Sequence, residues 1–494
     1  MPLINEEVRW QGHYIDIKIQ HNLLSRLSRH TIINYIIRGI SLMEAGFGSL
    51  IVMILSIVLL VFSIMKLKVH PVFALIIVAV LAAFGFGFPI QDIFSTVTGG
   101  FGGTIGNIGI VIILGCSIGV ILEETGGAMV LANTILKWVG RKNSKLAMAL
   151  TGYLVSIPVF SDSAIVIMSP VARALSARGG IPLVALLGAL NAGIMATHTM
   201  VPPTPGPIAA AGTLGADLGF MIVLGLISSA AYTFAGSAWC NSKYMLNKYP
   251  EPAVMDNVDL ADESNFELSN PDGRPLPNAG MAFASILIPV LLICINSFGT
   301  LFLEADSAVK PILGFIGHPI FALFIGVVIA LFMDKDSISL TIWQKWLNIS
   351  VEKSGFIILA TGAAGAFGAV LRASGVGTYL GDLISTTPLP AVFIPFLVSL
   401  LLSVANGSAT VSLLTGSAII LPLMPSLGLS PVIAALAIAA GSSFFYHANA
   451  SHFWVVLKSN GDLPMRQGFD VVSIPTALGS LAAMAVVFVM SFFF

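Results

Sequence analysis

Charged residues are scarce in this chain of 494 residues. Only 10% of its residues are Asp, Glu, Lys or Arg, whereas 56% are hydrophobic. A soluble protein of this length carries roughly a quarter charged residues, because its surface must stay hydrated. The deficit therefore excludes a soluble globular fold, and lipid is the solvent that fits this composition.

The sequence also lacks the signatures of several other protein classes. Its net charge is −1, and it has no basic face that would bind nucleic acid. Its cysteines, Cys116, Cys240 and Cys294, are far apart and match neither a disulfide framework nor a metal site. The glycine-rich stretches 99–106 and 115–119 have no following P-loop lysine, and no catalytic constellation or ATP-driven module is recognisable. We therefore expect no enzyme activity, no cofactor and no metal. Because no ATP-driven module is present, any energy-requiring process in this protein would have to draw on an ion gradient.

Long uncharged runs are the dominant feature that is present. Residues 47–65, 71–90, 93–122, 179–216 and 383–457 contain no Asp, Glu, Lys or Arg. A helix needs about 20 apolar residues to cross the hydrocarbon layer of a bilayer, and several of these runs are long enough for more than one crossing. The runs predict an all-α integral membrane protein with roughly 10 to 14 transmembrane helices.

Two polar segments lie outside the membrane body. Residues 1–43 are polar and mildly basic, either as a peripheral amphipathic segment or as sequence upstream of a true start at Met43. Residues 239–280 are acidic and rich in proline, as expected of a solvated linker. We therefore expect two membrane halves, residues 44–238 and 281–494, and a chain that begins at Met43 should insert and transport normally.

The two halves resemble each other in sequence. Residues 113–126 can be laid over residues 359–375, and residues 191–198 resemble residues 439–447. The shared order of these matches predicts an internal repeat. Repeats of inverted topology around a central linker are typical of secondary transporters.

Clusters of Gly, Pro, Ser, Thr and Asn interrupt the apolar runs in both halves. They occupy residues 158–163 and 197–207 in the first half, and residues 406–410 and 446–452 in the second. The prolines within 202–207 cannot continue a helix, since proline lacks the N–H donor and clashes with the preceding turn. The clusters predict interrupted or re-entrant helices whose free backbone ends line a polar cavity, although a surface loop is the alternative for the proline cluster.

Candidate site residues lie within these clusters. Asp162 is the only charged residue between residues 146 and 172, so we expect it to carry a coupling proton, with a helix-capping role as the alternative. His198 and His447 are further proton-coupling candidates, because histidine titrates near neutral pH, or else they are packing residues. The candidate substrate ligands are Ser161, Ser163, Thr197, Thr204, Asn406, Ser408, Thr410 and Asn449.

At these clusters the sequence resembles the gluconate permease (GntP) family of bacterial proton symporters, within a wider ion-transporter superfamily. The matching stretches are residues 102–106, 122–127, 197–198, 201–207, 407–410, 447–449 and 453–454. The similarity extends over roughly residues 44–494. The resemblance implies a location in the bacterial inner membrane and proton-coupled uptake of gluconate, a related sugar acid or, in one branch of the family, D-serine.

The sequence departs from the family pattern at several of these positions. Asp162 stands where the family usually has Glu, Ser403 where it has Arg, Thr204 where it has His, and Ala450 where it has Asp. The resemblance thus implies a small organic-acid anion as substrate and H⁺ as the coupling ion, with the acid at position 162 kept but shortened. Na⁺ coupling, a channel, and a membrane-embedded hydrolase that uses Ser161, Asp162 and His198 are the alternatives. The expected partners are the solute and the lipid bilayer, and a homo-oligomer is compatible with the sequence.

Overall fold

Helices form all the regular structure in the described part of the chain, as the all-α prediction requires. A computed structural model describes residues 47–139, 143–253, 275–300, 302–303, 307–334, 338–377 and 389–494. The N-terminal extension 1–43 lies outside these residues, as do residues 254–274 of the predicted linker 239–280.

The helices are numbered here in chain order. In the first half they are α1 (Phe47–Met65), α2 (Pro71–Gly85), α3 (Ile90–Thr125), α4 (Gly127–Val139), α5 (Ser144–Val155), α6 (Ser161–Gly179), α7 (Leu183–Met200), α8 (Pro205–Leu214), α9 (Leu218–Cys240) and α10 (Lys243–Lys248). In the second half they are α11 (Ala279–Gly299), α12 (Val309–Ile316), α13 (Pro319–Leu331), α14 (Leu340–Ala373), α15 (Phe393–Asn406), α16 (Ala409–Ile420), α17 (Met424–Leu427), α18 (Pro431–Ser442), α19 (Ser451–Ser459), α20 (Met465–Gly468) and α21 (Ile474–Met490).

Within the described residues, eight helical segments are long and apolar enough to cross a membrane, and the bent pair α12 and α13 makes a ninth if it counts as one span. Four further apolar helices, α2, α4, α15 and α18, are shorter than a full span. Large apolar side chains such as Leu55 and Phe73 point outward from α1 and α2, each more than 60% exposed. Such an outer surface suits lipid and would aggregate in water. The predicted multi-pass membrane fold is confirmed.

Each predicted break cluster contains a helix end. α6 begins at Ser161, and α8 begins at Pro205, where the missing proline N–H costs no helical hydrogen bond. α15 ends at Asn406, because Gly407 takes a φ of 70° that other residues rarely adopt. α19 begins at Ser451, after an irregular stretch that follows α18. The breaks therefore lie where the local backbone chemistry of the sequence places them.

Helix α7 lies at the centre of the first half, buried along its whole length and packed against α5, α6 and α9. A Cβ atom at Gly193 of α7 would come within 2.3 Å of the Ala149 carbonyl oxygen of α5. In the second half, a Cβ at Gly441 of α18 would come within 2.3 Å of the Phe396 carbonyl oxygen of α15. Only glycine permits such close approach. The same kind of helix contact thus positions the second break of each half.

The longest helices, α3 and α14, pack along each other and join the two halves. Lys353 Nζ lies 2.9 Å from Glu123 Oε2, and Lys345 Nζ lies 3.0 Å from Glu124 Oε2. The Lys353 ammonium also lies 5.8 Å from the centre of the Phe160 ring, directly before α6. This interface therefore reaches the first break.

Candidate substrate and proton site

A polar cavity of about 190 Å³ lies where three helices begin and one ends. The first turns of α6, α16 and α19 surround it, and the C-terminal turn of α7 completes the wall. Its lining residues are Phe160, Ser161, Asp162, His198, Gly407, Ser408, Ala409, Thr410, Tyr446, Ser451 and His452. Both halves of the chain contribute to it, and the lining comes from all four break clusters named above.

The helix starts give the cavity an electrostatic preference. The first backbone N–H groups of a helix lack helical partners, and the helix dipole places partial positive charge at that end. Ser408 Oγ caps α16 by accepting from the N–H of Val411, at 3.4 Å, whereas no side chain caps α6 or α19. Three such ends around one polar space favour a bound anion such as a carboxylate.

Asp162, the second residue of α6, faces the cavity and contacts α19. Its side chain is 44% exposed, and its Oδ1 lies 2.9 Å from Nδ1 of His452. Ser451 Oγ donates to Asp162 Oδ2 at 3.3 Å. Asp162 is therefore more than a helix cap, because it pairs with two side chains of the other half.

His452 extends this contact into the protein interior. Its side chain is only 3% exposed, and its Nε2 lies 2.8 Å from Oδ1 of Asn191 on α7. Asn191 is completely buried. A chain of polar contacts thus runs from the cavity through Asp162 and His452 to Asn191.

Five of the residues singled out from the sequence meet at this cavity: Ser161, Asp162, His198, Ser408 and Thr410. His198 is buried, and its Nδ1 has no hydrogen-bond partner among the described residues. Ser163 follows Asp162 on α6 but is not one of the lining residues. The structure thus brings predicted residues of the first, second and third clusters together around a single space.

Three predicted ligands use their side chains within the breaks. Thr197 donates to the carbonyl oxygen of Tyr153 at 2.8 Å, and Thr204 donates to that of Val201 at 2.5 Å. Asn406 Oδ1 accepts from the Ser408 N–H at 2.7 Å. None of the three lines the cavity. Their hydrogen bonds hold the irregular backbone in place, because buried polar groups at a helix end need hydrogen-bond partners.

The remaining two predicted residues lie outside the cavity, at the C-terminal end of α15. His447 Nε2 lies 3.2 Å from the carbonyl oxygen of Val404, and Asn449 Nδ2 donates to the same oxygen at 3.0 Å. His447 is half-buried and Asn449 is exposed. They satisfy a carbonyl group that the end of the helix leaves free.

Sequence reasoning missed His452, Ser451 and Asn191 as members of the site. A usable signal existed for the first two, because Ser451 and His452 open a helix directly after a predicted break, as Ser161 and Asp162 do. Asn191 carries no such signal. It lies in the middle of an apolar helix, where a polar residue serves in packing as often as in function.

A second, larger cavity of about 720 Å³ lies at the opposite ends of α8 and α16. Its walls are rich in glycine and include Thr104, Asn107 and the exposed side chain of Arg372. Along α16, Thr410 faces the small cavity and Leu421 follows the helix at the large one, a separation of about 16 Å at 1.5 Å per residue. A wider space with one basic residue at its wall therefore lies one short helix away from the polar cavity.

Comparison with known proteins agrees with this architecture. The chain is 36% identical over 439 residues to an uncharacterized permease of Haemophilus influenzae, covering 86% of this chain and 88% of that protein. It is 31% identical to a gluconate permease of Pseudomonas aeruginosa, covering 82% and 89% of the two chains. The solved structure of Neisseria gonorrhoeae MtrF, described as one of a class of antimetabolite efflux pumps, shares the fold with a TM-score of 0.62 at 15% identity, over 87% of this chain and 97% of that one.

The description "GntP family permease" applies to almost the whole chain. The sequence model of that family matches residues 48–493. Its members are permeases and not enzymes, which agrees with the absence of a catalytic constellation from the sequence. With its apolar spans and such relatives, the protein is a multi-pass protein of the inner membrane. The chain belongs to the GntP family of permeases.

Proposed function

We propose that this permease imports a small hydroxy-carboxylate, gluconate or a related sugar acid, together with a proton. The observation that carries the proposal is the polar cavity, in which three helix N-termini and the carboxylate of Asp162 face the same space. Several relatives named as gluconate permeases or transporters support the choice of substrate class. The cavity volume corresponds to about six water molecules at ~30 Å³ each, which suits a small solute.

The substrate anion binds, in this proposal, at the helix starts. The uncapped first turns of α6 and α19 offer backbone N–H groups to the carboxylate. Ser161, Ser408 and Thr410 offer hydroxyl groups that can pair with the hydroxyls of a sugar acid. Thr197, Thr204, Asn406 and Asn449 support the breaks and do not contact the substrate.

Proton coupling follows from placing an anion beside Asp162. Two negative charges roughly 6 Å apart at an effective dielectric of about 20 repel each other by about 3 kcal/mol, which weakens binding about a hundredfold. A proton on the Asp162 pair removes this repulsion. The anion and the proton therefore bind together and are released together, which is the requirement for symport.

One cationic residue at the larger cavity assists the approach of the anion. Arg372 lies at its wall, where it raises the local concentration of negatively charged solute without forming part of the binding site. Na⁺ coupling would instead require a cage of carbonyl and hydroxyl oxygens around the ion. The groups in contact with Asp162 are a histidine and a serine hydroxyl, which favours the proton as coupling ion.

Uptake into proteoliposomes tests the proposal. We expect labelled gluconate, glycerate or another sugar acid to accumulate under an inward proton gradient and to leak out when a protonophore is added. D-Serine and lactate complete the substrate panel. Accumulation driven only by an inward Na⁺ gradient would show that Na⁺, and not the proton, is the coupling ion. Purely downhill flux under both gradients would contradict the symport mechanism.

A further inference from the structure

Asn191 occupies an unusual position for a polar side chain. It lies in the middle of α7, completely buried, and only its oxygen is engaged, through the contact of Oδ1 with His452 Nε2. Its Nδ2 has no hydrogen-bond partner among the described residues. A buried unpaired amide group costs about 1–3 kcal/mol, so a packing role alone does not account for this residue.

With the oxygen of Asn191 facing it, His452 makes contacts that match a protonated ring. The Asp162 carboxylate beside Nδ1 and the Asn191 carbonyl oxygen beside Nε2 both act as acceptors. A neutral imidazole carries one N–H and one lone pair, whereas an imidazolium carries two N–H donors. Two acceptors on the two ring nitrogens therefore match a protonated His452.

A neutral His452 requires the opposite orientation of Asn191. If Nδ1–H still donates to Asp162, the lone pair of Nε2 needs a donor, and Asn191 supplies one when its amide turns by half a rotation and presents Nδ2. One end of the amide lacks a partner in either orientation. The proton on Nε2 therefore decides which end of Asn191 faces His452.

We propose that Asp162, His452 and Asn191 form the proton-carrying unit of this permease, with His452 as the carrier and Asn191 as the group that adapts to its charge. The proton adds to Nε2 of neutral His452, the Asn191 amide rotates from donor to acceptor, and release reverses both events. This inference rests on the proposed proton symport and assigns the proton to a specific atom.

The other ionisable groups around His452 make different contacts. Asp162 on α6 holds Nδ1–H, as the carboxylate that keeps the ring in position. His198 on α7 lines the same cavity but makes no contact with a carboxylate among the described residues, and Tyr446 packs edge-on with its ring centre 6.3 Å away. His447 is half-buried, and its Nε2 contacts the carbonyl oxygen of Val404. Among these histidines, His452 alone is linked to both an acid and a buried amide.

Two substitutions of Asn191 test the proposal through the pH dependence of gluconate uptake. Asn191→Asp places a second carboxylate beside Nε2, which favours the protonated ring and should move the pH midpoint of uptake upward by about one unit or more. Asn191→Leu removes the acceptor and should move the midpoint downward. Shifts in opposite directions at one position are not expected from a structural role. Midpoints that stay at the wild-type value in both folded variants would overturn the proposal.

An independent measurement uses the wild-type protein, in case a variant does not fold. In protein labelled with ¹⁵N-histidine, the signals missing from His452→Gln identify His452, and we expect both of its nitrogens to titrate in the range where uptake depends on pH. A ring that keeps one charge state throughout that range would contradict the proposal.

The matched control is His447→Gln, from the same break cluster 446–452 but outside the cavity. His452→Gln should abolish accumulation driven by a proton gradient and retain counterflow of gluconate, whereas His447→Gln should retain both. Gradient-driven accumulation by His452→Gln at the wild-type level would overturn the assignment of the carrier and leave the proposed symport intact. Absence of any sugar-acid transport by the wild type would instead overturn the proposed function.

Discussion

The two halves of the molecule arrange their helices in the same order but fill the helix starts with different chemistry. In each half a long helix, α3 or α14, comes first. A short helix, α5 or α15, leads to the first break, and α7 or α18 leads to the second break. The helices after the first break are α6 and α16, and those after the second are α8 and α19. Residues 44–238 and 281–494 are therefore proposed to be repeats, and their inverted relation stays a prediction.

The second residue of each of these four helices forms part of a pair across the molecule. Asp162 of α6 contacts His452 of α19. In the equivalent pair, a Cβ at Gly206 of α8 would lie 3.9 Å from Thr410 Oγ1 of α16. One pair is thus ionisable and the other is neutral and small. The difference teaches that equivalent positions of the two pairs hold an acid and a histidine in one case, and a glycine and a hydroxyl group in the other.

The largest effect should come from removing the charge of the ionisable pair. Asp162→Asn keeps the shape of the side chain, so the pH dependence of binding, about a hundredfold by charge repulsion, should be lost while counterflow exchange persists. Asp162→Glu should retain part of the coupling, since the acid is lengthened by only one methylene. Proteoliposome uptake under an imposed proton gradient measures both. Wild-type accumulation by Asp162→Asn would leave Asp162 with a structural role only.

Among the uncharged residues of the site, Gly407 should contribute most to the stability of the first break in the second half. Alanine at this positive φ should lower the free energy of unfolding by about 1–2 kcal/mol. Its Cβ would also come within 2.8 Å of Asn449, and such overpacking costs about 1–3 kcal/mol more. Gly428→Ala is the control, because Gly428 has a φ of 62° and open space around the Cβ position. In detergent, the melting temperature of Gly407→Ala should be well below that of Gly428→Ala. Equal melting temperatures would contradict this account.

A smaller effect is expected at the neutral pair. Thr410→Val removes one hydroxyl from the cavity without adding charge, and the loss of one hydrogen bond of about 1.5 kcal/mol should raise the KM for gluconate about tenfold. The pH midpoint of uptake should not move. Thr300→Val serves as the control, because Thr300 directly follows α11 and its hydroxyl donates to the carbonyl oxygen of Asn296 in that helix. An unchanged KM for Thr410→Val would remove this hydroxyl from the site.

The smallest effect is expected outside the cavity. Asn449→Ala removes the donor to Val404 at the end of α15 and should lower the free energy of unfolding by about 1 kcal/mol. Uptake of the folded variant should keep the wild-type KM and pH midpoint. A change in substrate affinity at unchanged stability would return Asn449 to the list of substrate ligands.

Composition and local backbone chemistry by themselves determined the environment, the fold class and the breaks. Uncharged runs longer than a bilayer is thick require lipid, because every charged residue in the hydrocarbon layer is costly. The breaks at Pro205 and Gly407 follow from residues whose own φ angles or missing N–H groups end or start a helix. These properties act over a few residues, so they can be read without knowing the fold.

Only the tertiary structure decided which polar residues meet. Asp162 and His452 are 290 residues apart in the chain, and Asn191 and His452 are 261 apart, so no local pattern connects them. The cluster 446–452 contains two histidines, and sequence reasoning selected His447, which caps the end of α15, instead of His452. The choice depends on where α19 begins and which helix it packs against. Long-range packing sets that geometry, whereas the sequence shows only the residues available for it.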